Sequence, residues 1–216
     1  MTARIVYAQE LKRLNEDVVR MEEKVEKTIE KVLRSLVNHD EKLAKEIIAD
    51  DDKFDLLEQE IEKECFLLVA RQSPVAGDLR KITAIMRLIS DLERIADHCS
   101  DIAEYILRLP SEKRFELPEG VRDMFYAMRQ MVSDVIASFV AFDTKKAGQV
   151  IEQDNTVDDA FIRLRSSICE MMKSNPDFIE AGVDYLMIIK YVERMADHAT
   201  NIAEWVYFIV DGELKG

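Results

Sequence analysis

The fifteen residues Leu92 to Ile106, LERIADHCSDIAEYI, return as Val192 to Val206, VERMADHATNIAEWV, at an offset of 100 and with eight identities. Ordinary composition would match about one residue in 15, so the chain carries a duplicated unit, and both halves must fold alike. Pro74 and Pro176 stand at corresponding places, and Asp51-Asp52-Lys53-Phe54-Asp55 lines up with Asp154-Asn155-Thr156-Val157-Asp158 at an offset of 103. What that upstream pair preserves is a carboxylate at i and i+4.

Only 6 Gly and 4 Pro occur in 216 residues, too few for the turns of a sandwich, a barrel or a doubly wound sheet. The fold class is therefore all-α. Leu11, Leu14, Val18, Met21, Val25, Ile29, Val32 and Leu36 follow one another in steps of 3 and 4, which places them on one helical stripe. That helix is expected to end near Asn38-His39-Asp40. A second runs from Asp40 to Arg71 and stops at Gln72-Ser73-Pro74, because proline lacks the donor a continuing helix needs. A third spans Gly77 to Leu109.

Three more cover Glu119 to Phe142, Asp143 to Ser174 and Asp177 to Val210, with Asn175 as cap and Pro176 opening the last. The polar stretch between Pro110 and Pro118, which includes Ser111 to Arg114, is the natural boundary. Six long helices in two tandem three-helix bundles, 1–110 and 119–216, are predicted. Small residues at Ala96, Ala103, Ala196, Ala199 and Ala203 suit close helix packing. Met86, Met124, Met128, Met131, Met171 and Met172 read as core filler.

A formal charge of -13 repels phosphate backbones and anionic lipid, which argues against nucleic acid as a partner. The longest apolar run without a charge, Val135 to Phe142, is far short of a membrane span of about 20 residues, and no signal segment opens the sequence. A cytoplasmic protein that meets the membrane only through partners is the expectation. Cys65, Cys99 and Cys169 are odd in number and sit in apolar helical patterns, as reduced structural thiols do.

The repeated acids carry the chemistry. Glu93 and Asp97, Asp51 and Asp55, Asp154 and Asp158, and Glu193 and Asp197 each lie at i and i+4, side by side on a helix face. Like charges so placed repel unless a cation lies between them. Two helices, each offering such a pair, would assemble four oxygen ligands for a hard cation such as ferric iron, manganese, magnesium or calcium. One site per half follows. About eight acidic i, i+4 pairs are expected by chance in so acidic a chain, so a solvated acidic face is the competing reading. Recurrence at matching places in both halves favours metal.

On a helical wheel Leu92, Ile95, Ala96, Cys99, Ile102, Ala103 and Ile106 form the apolar side. Glu93, Asp97, Asp101 and Glu104 form an accessible acidic stripe, with Arg94 and His98 as a basic stripe beside it. His98 and His198, equivalent in the repeat, are open to three roles: interhelical hydrogen bonding, metal ligation with Asp101 and Asn201 as further ligands, or phosphotransfer. Arg94 and Arg194 would pair with acids of a neighbouring helix or contact a partner.

There is no Gly-rich phosphate loop, no G-x-S-x-G and no H-E-x-x-H, so a non-enzyme is expected. The rival reading is a metal-storage protein or carboxylate-bridged metal enzyme. Di-iron bundles, however, use Glu-x-x-His on two helices, and Leu36, Ile95 and Met195 precede the three histidines by three residues.

SPVAGDLRKI from Ser73, LERIADHCSDIAE from Leu92 and YVERMADHATNIAEW from Tyr191 resemble the signatures of the PhoU family of phosphate-transport regulators, and the likeness covers the whole chain. The resemblance implies two spectrin-like three-helix repeats and iron or other metal ions held by Asp51, Asp55, Glu93 and Asp97 and by Asp154, Asp158, Glu193 and Asp197. It also implies a homodimer. Its role would be negative control of the phosphate-starvation response, linking the ATPase subunit of the phosphate ABC importer to a sensor histidine kinase. Ala96 and Ala196 replace a common glycine, and Asp101 stands where the second repeat has Asn201, which would make the two metal sites unequal.

Overall fold

The structure, a computed structural model, describes residues 2–72, 74–110 and 115–213. The expected breaker Ser73 and the stretch Ser111 to Arg114 lie outside the described residues. Seven α-helices follow in order: α1 Thr2–Asn38, α2 Glu41–Ala49, α3 Asp52–Gln72, α4 Ala76–Arg108, α5 Val121–Ala141, α6 Thr144–Ser174 and α7 Ile179–Asp211, the last preceded by a 3-10 turn at Pro176–Phe178.

The periodic stripe of α1 is the spine of the first bundle. Leu14, Val18, Met21, Val25, Ile29, Val32 and Leu36 are all at most 2% exposed, because steps of 3 and 4 keep them on the face turned to α3 and α4. At its end His39 takes a left-handed φ of 51° and Asp40 accepts the Leu43 N–H at 3.0 Å, which starts α2 with a side-chain cap. The second half repeats the device, with Phe142 at φ 51° and Asp143 capping Lys145 and Lys146 at 3.0 and 3.1 Å.

The predicted second helix, Asp40 to Arg71, is not continuous. It breaks at Asp50 and Asp51, where Asp51 N–H reaches back three residues to Ile48 O and Phe54 N–H to Asp51 O at 2.8 Å. Three consecutive aspartates are poor helix formers, because short acidic side chains compete for nearby backbone donors. The matching Asp154 has Gln153 and Asn155 as neighbours, and α6 runs through it unbroken. Six helical rods in two bundles remain the architecture, with one rod jointed.

The halves are not beads on a string. α4 and α7 pack together more extensively than any other pair, and α1 also lies against α5, so one apolar core runs through both bundles. Ala96, Ala103, Ala196, Ala199 and Ala203 are at most 1% exposed, and their small side chains permit the close approach of α4 and α7. Arg129 of α5 adds an ionic tie, donating from Nε to Glu26 at 3.0 Å and lying 2.8 Å from Glu30. Met124, Met128 and Met131 are buried in the second bundle, while Met86 of α4 and Met171 and Met172 of α6 are half-buried against the common core. Cys65 and Cys99 are buried and Cys169 half-buried, none in a disulfide. No helix among the described residues is long and apolar enough to cross a membrane.

One buried acid works against the fold. Glu22, 7% exposed, has its carboxyl pushed up to about 7, first by burial and then by Glu26 and Glu23, against a smaller pull from Arg129 and Lys27. A carboxyl raised in the native state favours folding below its unfolded value and ceases to do so as pH rises through about 7. Glu22→Gln is therefore expected to raise stability at pH 8 by about 2 kcal/mol and to change it little at pH 4. Thermal melts at the two pH values check this, and an equal effect at both would refute it.

Candidate functional site

The joint between α2 and α3 aims the first acids at α4. Asp55 on the first turn of α3 and Glu93 and Asp97 on α4 each offer a carboxylate oxygen within 4.8 Å of the others. Asp51, at the joint itself, is half-buried beside them and accepts a hydrogen bond from the Ser100 hydroxyl. Burial, then Asp97 and Asp55, push the Asp51 carboxyl up to about 6. Burial, then Asp97, push Glu93 up to about 7, and Arg94 opposes the rise. Asp97 is also raised, chiefly by burial.

Of the expected accessible stripe, Asp101 and Glu104 are open, with side chains 41% and 54% exposed, whereas Glu93 and Asp97 are more enclosed, at 12% and 28%. Arg94 does not reach a neighbouring helix. Its Nη1 lies 3.1 Å from Asp97 Oδ2 and its Nε 3.5 Å from Glu93 Oε2, on its own helix, with the side chain 57% exposed. So exposed a guanidinium offsets little of the crowding.

The second cluster has the same acids in a different state. Burial, then Asp158, Asp197 and Glu193, push Asp154 up to about 6, and Asp154 Oδ1 is buried with no hydrogen-bond partner. Asp197 is raised by burial and by Glu193, with Lys190 opposing. Lys190 Nζ is paired with Glu193 and lies 5.4 Å from the centre of the Phe161 ring. Among the described residues only the first repeat brings three carboxylates within ligand distance of one another. The inequality of the two sites, expected from Asp101 against Asn201, has further sources in residues outside the repeated signature. Glu58, which faces Glu93, corresponds at the offset of 103 to Phe161, and Ser90 corresponds at the offset of 100 to Lys190. Continuing the repeat comparison outside its signature would have found both.

The other candidates lie elsewhere. His98 is buried, not on a surface stripe. It contacts Asp101 of its own helix at 3.2 Å, and Arg194 is near enough to disfavour charge on its ring, which burial already holds below the usual histidine range. His198 crosses from α7 to Asp91 of α4 at 2.8 Å, and Asn201 donates to the same Asp91 oxygen at 3.3 Å. Both belong to the seam between the halves. Asp101 touches both places, pairing with His98 while adding to the negative field at Asp51.

This fold and site define a class: duplicated three-helix-repeat proteins that carry a facing set of carboxylates in each repeat. The sequence profile of the PhoU domain matches twice, at residues 18–106 and 121–206. The chain belongs to the PhoU family. It is 31% identical over 211 residues to a phosphate-specific transport system accessory protein PhoU homolog of Clostridium acetobutylicum, covering 97% of this chain and 96% of that one. A homolog of the same description from Aquifex aeolicus is 35% identical, with 95% and 93% covered. The crystal structure of the phosphate transport system regulatory protein PhoU from Streptococcus pneumoniae superposes with a TM-score of 0.91 at 31% identity, with 97% and 99% covered.

Proposed function

We propose that this protein is a cytoplasmic accessory protein of the phosphate ABC importer and a negative regulator of the phosphate-starvation response. It acts as a homodimeric adaptor between the importer's ATPase subunit and a sensor histidine kinase. The observation that carries this reading is similarity along nearly the whole chain to relatives described as accessory to phosphate-specific transport. Its repeat units are taken as 1–110 and 119–216. A rigid bundle with charged faces suits an adaptor, since complementary charge steers and selects partners without a reaction centre.

Metal is the second part of the proposal. The donor set fits a hard cation: Asp55, Glu93 and Asp97 supply oxygens alone, and the unpartnered Asp154 Oδ1 marks the corresponding place in the second repeat. A bound cation would neutralise the crowded carboxylates and tie α3 to α4, and α6 to α7. The first repeat would hold it more tightly, because Lys190 competes for Glu193 in the second.

Deleting the gene in the source cell is expected to derepress phosphate-uptake genes in phosphate-rich medium, with repression restored by the wild-type chain. Unchanged expression would overturn the regulatory reading. Elemental analysis of untagged protein, beside a variant with Glu93, Asp97, Glu193 and Asp197 changed to alanine, tests the metal. Stoichiometric metal lost in the variant is expected, and no metal in either protein would leave the acids as charged surface.

A further inference from the structure

At the seam between the two bundles the rings of His98 and His198 lie with centroids 5.5 Å apart and planes tilted by 45°. Each ring commits Nδ1 to a carboxylate, His98 to Asp101 Oδ2 at 3.2 Å and His198 to Asp91 Oδ1 at 2.8 Å. A carboxylate at Nδ1 fixes the proton there and leaves the lone pair on Nε2. Both acids come from α4, since the α7 counterparts of Asp91 and Asp101 are Tyr191 and Asn201. The duplication thus kept the two histidines but not the carboxylates that back them.

His98 is 5% exposed, and its Nε2 is buried without a hydrogen-bond partner. Native interiors rarely leave such an atom unmatched, and a water or an ion is among the groups that can satisfy one that remains. An imidazole backed by a carboxylate at its other nitrogen is the usual form of a metal-binding histidine. Two imidazoles sharing one ion at about 2.0–2.1 Å per bond have ring centres roughly 4.5 to 6.5 Å apart, from a right-angled to a linear arrangement. The observed separation falls within that interval.

We propose that His98 and His198 together bind one divalent transition cation of the zinc or copper class through Nε2 of each ring, with water completing the coordination. Access is from the side on which the His198 side chain is 20% exposed, while Tyr191, its ring centre 5.2 Å from that of His98, packs against the buried imidazole. This site is separate from the carboxylate clusters in ligand type and in the ion it selects: imidazole suits zinc and copper, whereas an oxygen-only set suits harder cations. A bound ion would cross-link α4 to α7 and so hold the repeats together.

The test uses full-length protein carrying His39→Asn, which removes the remaining histidine; asparagine tolerates the left-handed φ of 51° at that turn. Cupric ion is added to one equivalent and followed by electron paramagnetic resonance. Superhyperfine structure from two imidazole nitrogens is expected, lost on further change of His198→Gln, a partly exposed position where glutamine keeps a polar side chain beside Asp91. Zinc should raise the melting temperature of the His39→Asn protein and leave the His198→Gln form unmoved. The same two-nitrogen signal should persist with Asp97→Asn and Asp197→Asn, which separates this site from the carboxylate clusters whatever their fate. A signal from one nitrogen or none, or one that His198→Gln leaves unchanged, overturns the proposal.

Discussion

In metal-free protein at pH 7.5 the double variant Glu93→Gln, Asp97→Asn is expected to be more stable than the wild type by about 1–2 kcal/mol, and in saturating manganese the order should reverse. Both carboxyls are raised first by burial and then by neighbouring charge, so in the absence of metal their charged forms oppose folding. The sign follows from linkage: a raised carboxyl favours the native state at low pH, and that advantage is lost as pH rises through its folded value, about 7 for Glu93. The variant's gain should therefore shrink towards pH 4. Arg94 loses both partners in the variant, but at 57% side-chain exposure it is rehydrated at little cost.

Metal inverts the balance, because an ion bound only by the folded state at 100 times its dissociation constant contributes about 2.7 kcal/mol. The difference between the two proteins then swings by about 2.7 kcal/mol between the two conditions, which leaves the wild type ahead in manganese by about 1 kcal/mol. Calorimetric melts of both proteins with chelator and with manganese measure it. A variant less stable than wild type in chelator as well would mean that the acids hold the fold through Arg94 rather than holding a cation.

A second large effect is expected where Phe115 meets the second bundle. Tyr185, 1% exposed, is the bulkiest of the fully buried side chains. It stacks on Phe178 at 6.0 Å, and Phe178 in turn meets Phe115 edge-on at 5.0 Å. Tyr185→Ala removes a whole ring from that stack and should cost about 3–5 kcal/mol, which in a protein of this size lowers the melting temperature by about 10 °C. Tyr185→Phe keeps the ring and should cost under about 1.5 kcal/mol. Guanidinium unfolding of the two variants checks the ratio, and equal losses would assign the stability to the hydroxyl instead of the packing.

Much of this was legible in the sequence for definite physical reasons. Helix is a local property: the 3- and 4-residue steps from Leu14 to Leu36, the scarcity of Gly and Pro, and the caps Asp40, Asp143 and Asn175 each act within one or two turns. The duplication carried the acidic pairs with it, because i and i+4 on one helix share a face whatever surrounds the helix. The joint at Asp50 and Asp51 is nearly as local, and the three aspartates that cause it stand in plain view.

What only the tertiary structure decided depends on residues far apart in sequence being close in space. No periodicity says that α4 of one repeat packs against α7 of the other, so a helical wheel that sets His98 on a basic stripe beside the acids cannot supply the opposing helix that buries it. The same packing brings Asp91 to His198 across 107 positions of chain. The packing of α3 on α4 likewise decides that Asp55 converges on Glu93 and Asp97, whereas the pairing of Lys190 with Glu193, three residues on along α7, is local. The sequence alone determined which carboxylates share a helical face and which cations, Arg94 and Lys190, stand beside them on the same helix; whether those faces meet and how far water is excluded from them are properties of the assembled bundles, because desolvation and charge act through space and not along the chain.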